Sequence, residues 1–330
     1  MARPVTAAFH MAQPRMRARL QEPVSPLAVP ANRLGPASGG SILAKSNSGG
    51  GGWSAVAARL PDGRLHLQQG PIDIVAEAFG EAAAVEAAYA RAARRFAPVL
   101  SALVAELPAL RSVNGAVQDE IGQAMAAAVA PFRPAFITPM AAVAGAVADA
   151  VVAAMAGPGI TRAYANNGGD IAVWLTPGAE LTAALAVSGG GDRVTLRAAD
   201  GVRGIATSGW GGRSFSLGIA DAVTVLAPTA AMADAAATMI ANAVDLPGHS
   251  GITRRPASDL QSDSDLGHRL VTVAVAPLGA AERAQALAAG LAVAEGFRAQ
   301  GLIAGAALYL QGEIRMTGLS GRLVNGGDHG

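Results

Sequence analysis

Cysteine is absent from the 330 residues, which excludes disulfides, thiolate nucleophiles and cysteine-ligated metals. The absence fits a cytoplasmic location. Lysine occurs once, at Lys45, in a stretch expected to lie outside the folded domain, so neither a Schiff base nor a phosphate-loop lysine is expected. Aromatic residues make up 4% of the chain against 51% hydrophobic, so the core must be built from many small side chains packed closely. Charged residues are 15% and the formal net charge is +1, without the concentrated basic face that a nucleic-acid partner requires. Residues 140–156 are mostly Ala and Val, yet the run is short for a bilayer and carries Asp149. It reads as a buried helix, and no membrane association is expected.

Residues 1–52 are rich in Pro, Arg, Ser and Gly without apolar periodicity, and are expected to form a disordered arm. Arg3, Arg15, Arg17 and Arg19 precede no apolar h-region, so a secretory signal is not expected. Strand-like runs at 53–60, 65–68 and 72–79, the first two flanking Pro61-Asp62-Gly63-Arg64, predict an antiparallel meander. A helix pattern over 81–107 should split at Pro98 and close at Pro108, and further helices are expected over 117–129 and 140–156. Short strands with turns at Asn167-Gly168, 188–192, 199–201 and 209–212 fill 160–228 and predict a second, larger antiparallel sheet. Thr229 should cap a helix over 231–244, 248–267 reads as a polar loop, and a strand, helix and closing hairpin follow at 269–276, 280–300 and 306–317. The expected class is α+β, with antiparallel sheets and segregated helices. Its domain limits are 53–318, with a flexible tail over 319–330.

The densest chemical signal is Asn166-Asn167-Gly168-Gly169-Asp170 between two apolar runs. Those residues accept positive φ and predict a tight hairpin. They also suit an anionic ligand, because glycine leaves backbone N–H groups open to close approach and Asp170 could hold a cation or a hydroxyl. Downstream come Thr207-Ser208-Gly209, the strand-like run 222–230, and Ala233-Asp234-Ala235-Ala236-Ala237-Thr238. Asp234, Thr238, Asn242 and Asp245 recur at steps of four, four and three and share one helical face. A solvated face and a ligating face both satisfy that spacing.

In this order and spacing, residues 138–242 resemble the ApbE-like flavin transferase superfamily, whose members carry a glycine turn of this kind, a T-S-G segment and an A-D-x-x-x-T helix. The resemblance implies an α+β fold with an internal structural duplication, and a ligand lodged between two sheet halves. The implied ligand is a flavin nucleotide, FAD or FMN, or a related phosphorylated molecule. Asn166, Gly168, Gly169 and Asp170 would form one wall of the site, Thr207, Ser208 and Gly209 a second, and Asp234 with Thr238 would hold Mg2+. The implied reaction is transfer of FMN from FAD to a protein acceptor; no catalytic residue can be nominated, since no histidine is close to Ser208 in sequence. The alternative is a non-catalytic accessory or structural partner of an oxidoreductase.

Two departures bear on catalysis. Ala144-Gly145, with Asp149 beyond, stands where the superfamily has a Lys-Gly pair, and the stretch between Trp210 and Asp221 has neither the His nor the Pro of an H-x-x-D-P motif. Losing those groups would remove electrostatic stabilisation of phosphoryl transfer, and ligand binding can survive where transfer does not. Elsewhere, Asp259, Asp263 and Asp265 match no calcium-loop spacing, and His66, His249 and His268 have no metal-ligand spacing. Asn325-Gly326-Gly327-Asp328 echoes the central turn but no strand follows it.

Overall fold

A computed structural model describes residues 19–20, 42–45, 54–184, 193–319 and 323–324. Most of the expected arm and tail, the turn expected at 188–192 and the 325–328 echo lie outside those residues. The chain runs β1 (Arg19–Leu20), β2 (Ile42–Lys45), β3 (Val56–Arg59), β4 (Leu65–Gln69), β5 (Ile72–Gly80), α1 (Ala82–Phe96), α2 (Val99–Ala105), α3 (Leu107–Leu110) and α4 (Glu120–Val129). After α5 (Val143–Met155) come β6 (Ile160–Asn167), β7 (Asp170–Leu175), β8 (Glu180–Ala184), β9 (Arg193–Arg197), β10 (Gly204–Ser208), β11 (Ala222–Ala227) and α6 (Ala230–Ala243). The chain then forms β12 (Ile252–Pro256), α7 (Ala257–Leu260), β13 (Leu270–Val275), α8 (Ala280–Ala299), β14 (Gly305–Leu310), β15 (Glu313–Thr317) and β16 (Leu323–Val324).

The sequence predicts two sheets, one before the helices and one after them. Hydrogen bonding instead joins both groups in one ten-stranded sheet, ordered β15-β14-β11-β10-β7-β6-β5-β4-β3-β2. The seam is the antiparallel pair β5 and β6, with Ala76 opposite Ala165 and Ile74 opposite Asn167. This long-range pairing leaves no division between two sheets for a ligand to occupy there. A four-stranded sheet, β1-β8-β9-β16, and the pair β12-β13 complete the β-structure, and every strand pair is antiparallel. The α+β class expected from the sequence is the class found.

Alternation along the strands sorts side chains to two faces. On β7, Ala172 belongs to the core shared with the helices, whereas Ile171, Val173 and Leu175 belong to a second core with Leu181, Val194 and Leu196 of the small sheet. Helices α5 and α6 therefore cover one face of the large sheet, and β8 with β9 cover the other. The alanine-rich composition has its consequence in α6, which is buried around most of its circumference between β10, β11, α5 and α8. Small side chains allow those close approaches. At Gly145 on α5 and Gly204 on β10, a Cβ would collide with the backbone of Ala230 and of Thr229 respectively.

Two local expectations are corrected. Pro108 does not close a helix: it sits in the first turn of α3, where a missing N–H costs nothing. The polar loop expected over 248–267 contains β12 and α7; β12 alternates half-buried with exposed residues and pairs with β13, the next strand, across α7 and the turns that follow it. Its Asp263 pairs with Arg111, and Asp265 accepts from the Thr138 hydroxyl, so these acids fasten the segment to the helical layer.

Candidate functional site

The glycine turn forms as expected. Gly168 and Gly169, at φ +69° and +120°, make a two-residue loop between Asn167 and Asp170, which pair as the last rung of the β6–β7 ladder. The Asn166 side chain closes the turn by accepting from the Gly169 N–H at 2.8 Å. Asn167 is buried, donates to the Ala144 carbonyl at 3.0 Å, and its Oδ1 has no partner among the described residues. Asp170 follows Ala172 in facing the helices.

Helices α5 and α6 cross at their first turns, and each is capped by an aspartate of the other. Helix α5 is preceded at its capping position by Ala142, whose side chain cannot cap it. Asp234 of α6 substitutes, accepting from the Gly145 N–H at 3.1 Å and also from Ala144. In return Asp149 of α5 accepts from the Ala230 and Ala231 N–H groups at 3.0 and 2.9 Å. Thr229, the expected N-cap of α6, takes the next N–H, that of Met232. The two helix starts place partial positive charge around Asp149 and Asp234, which favours carboxylates there. The Ala144-Gly145 pair thus supplies the amides that hold Asp234.

Burial nevertheless dominates the electrostatics. It pushes the Asp149 carboxyl up to about 6 against the pull of the two α6 amides, and the Asp170 carboxyl up to about 7 against the Thr207 amide and the charge of Arg213. Asp234 is raised well above the usual carboxylate range, first by burial and then by the negative charge of Asp170. The charge of Asp170 thus opposes ionisation of Asp234, and both residues keep partial access to solvent. A cation between them would relieve that repulsion.

The remaining expected residues divide by strand face. On β10, alternation puts Ser208 with Ala206 on the helical side and Thr207 with Ile205 on the other, where the Thr207 hydroxyl bonds to that of Thr224 at 2.9 Å. Thr207 meets Asp170 only through its backbone N–H, at 3.3 Å. Gly209 packs against the backbone of Ala220 and Asp221, so its lack of a Cβ serves the fold. Thr238 lies one helical turn beyond Asp234 and is half-buried. Asn242 and Asp245, on the same expected face, are occupied otherwise: Asn242 Oδ1 accepts from the Leu217 N–H at 2.9 Å, and Asp245 pairs with Arg254.

Two contributors escape the sequence reading. Asn167 lies within the motif, but only tertiary packing buries its amide. Arg213 is the sole cation between Trp210 and Asp221, and its guanidinium lies on Gly168 such that a Cβ there would come within 2.6 Å of Nη2. A lone arginine among glycines was the available signal. An open cleft of about 440 Å3, lined by residues including Phe79, Arg162, Thr176 and Glu180, lies at the opposite end of the β6–β7 hairpin and contains none of the site residues.

The family model described as AbpE bacteria matches residues 57–316. The chain belongs to that family. The match runs from β3 to β15 and includes the glycine turn, the crossed helices and Arg213. A comparison with curated proteins finds no match. Among the described residues, no helix is long and apolar enough to cross a membrane, and no three His, Cys, Asp or Glu side chains converge to hold a metal by themselves.

Proposed function

We propose that this AbpE-family chain binds a flavin nucleotide, FAD or FMN, or a related phosphorylated ligand, together with Mg2+, on the helix-facing side of the glycine turn. One observation carries the reading. Asp234 holds the Gly145 N–H while Asn167, which pairs with Asp170, donates to the Ala144 carbonyl, so a strand end and a helix bring two partly open carboxyls to the same short backbone segment, and the charge of Asp170 opposes ionisation of Asp234. The donor set fits a hard divalent cation: Asp170 and Asp234 would hold it, with the Thr238 hydroxyl one turn along α6 and Ser208 on the same sheet face. Two carboxylates do not fill the coordination of magnesium, which retains waters and takes phosphate oxygens from its ligand. Bound there, the ion would supply charge neutralisation to a phosphate or pyrophosphate. Transfer of FMN to a protein acceptor is the reaction such binding would serve.

Thermal unfolding with Mg2+, titrated against FAD, FMN, ADP and buffer alone, tests the binding. A ligand specific for the folded chain stabilises it by about 2.7 kcal/mol at a hundredfold excess over its Kd, a shift of several degrees. Asp170→Asn should abolish the magnesium-dependent part. Asp234→Asn is the cleaner partner variant, because its amide oxygen still accepts an α5 N–H where alanine would not. Absence of any magnesium-dependent shift with all three nucleotides refutes the reading.

A further inference from the structure

Arg213 is exposed, and among the described residues its guanidinium makes neither a hydrogen bond nor an ion pair. Yet it is not a random surface arginine. It is laid across Gly168, with Cζ 2.9 Å and Nη1 3.2 Å from where a Cβ would stand, and its charge acts on Asp170. Gly169 beside it has open space where a Cβ would be. The guanidinium therefore keeps its N–H donors unspent beside the turn that Asp170 follows. An arginine placed to neutralise Asp170 alone would be expected to pair with it directly; one held over the turn with its donors unspent is placed for a second anion.

We propose that Arg213 is the anion anchor of this site, its planar fork gripping a phosphate group of the ligand while Asp170 and Asp234 address that group from the other side through the cation. The assignment rests on the reading that a phosphorylated ligand and a divalent cation meet at these carboxylates. It adds a specificity: the site selects for the phosphate and not for the ring system attached to it. Gly168 is part of the device, since any side chain there would lift the guanidinium off the turn. In a chain whose one lysine lies far from the turn in sequence, Arg213 supplies the positive charge that a phosphate-binding lysine provides elsewhere.

The test is calorimetric titration of the full chain in Mg2+ with FMN, riboflavin and inorganic pyrophosphate, using the wild type, Arg213→Gln and Arg213→Lys, with circular dichroism confirming that each is folded. If FMN binds, Arg213→Gln should weaken it about tenfold or more, the usual weight of a charge-assisted contact, and leave riboflavin unchanged. Arg213→Lys should lie between, since it restores charge without the fork. FMN affinity equal in wild type and Arg213→Gln, or a parallel loss of FMN and riboflavin, overturns the anchor while the flavin reading stands. Pyrophosphate binding that depends on Arg213, with no flavin bound, keeps the anchor and removes the flavin. A wild type that binds none of the three overturns both.

Discussion

The reciprocal caps offer a sharp test, because Asp149 is held by two amides and opposed by burial at the same time. In Asp149→Ala the N–H groups of Ala230 and Ala231 lose their acceptor, at a cost of about 1–3 kcal/mol for each group left dry. Against this, the variant no longer buries a carboxylate. A carboxyl raised from 3.8 to about 6 binds more protons in the folded chain than in the unfolded one. Its contribution to stability is therefore complete below about pH 4 and is lost as pH climbs through about 6. Between pH 4.5 and 7 the loss amounts to about 2 kcal/mol, from 1.36 kcal/mol per pKa unit applied across that window. Urea unfolding of wild type and Asp149→Ala at both pH values should show the wild-type advantage shrinking by about that amount at pH 7. Asp149→Asn, which keeps an acceptor and cannot ionise, should overtake the wild type as pH rises. Asp170 and Asp234 move stability in the same direction and are present in every variant; removing the Asp149 charge also relieves Asp234, which acts in the same sense as the predicted shrinkage. A gap that is constant with pH, or that widens toward pH 7, would refute the reasoning: the helix starts would then stabilise the Asp149 charge more than burial penalises it.

Two further outcomes follow from the way α6 is seated. Gly145→Ala should destabilise by about 3 kcal/mol in urea unfolding, since its Cβ meets the Ala230 carbonyl and must prise apart the crossing that both caps depend on; Gly296→Ala, with open space on α8, should instead gain up to about 1 kcal/mol. Thr229→Ala should cost about 1 kcal/mol by freeing the Met232 N–H, and Thr229→Ser should restore most of it; equal stability of all three chains would mean that water replaces the cap.

Local chemistry made much of this chain legible. Adjacent glycines can take positive φ where other residues are strained, so Asn167-Gly168-Gly169-Asp170 announced its hairpin, and a hydroxyl before an alanine run announced the start of α6 at Thr229. Helices α1, α4, α5 and α8 followed from periodicity and proline positions, and the α+β class followed from their order. These features depend on residues a few positions apart, which a linear reading can weigh. What only the tertiary structure decided is whatever depends on pairing and packing: the joining of β5 with β6 that makes one sheet of two, and β12, a polar segment made a strand by its ladder with β13. The site belongs to the same category. Asp170, Asp234 and Ser208 were visible as candidates, but the side of the sheet that Asp170 and Ser208 share, the exchange of caps between Asp149 and Asp234, and the arginine resting on Gly168 are set by packing. Burial and proximity give a carboxyl its charge state, and neither is a property of sequence spacing.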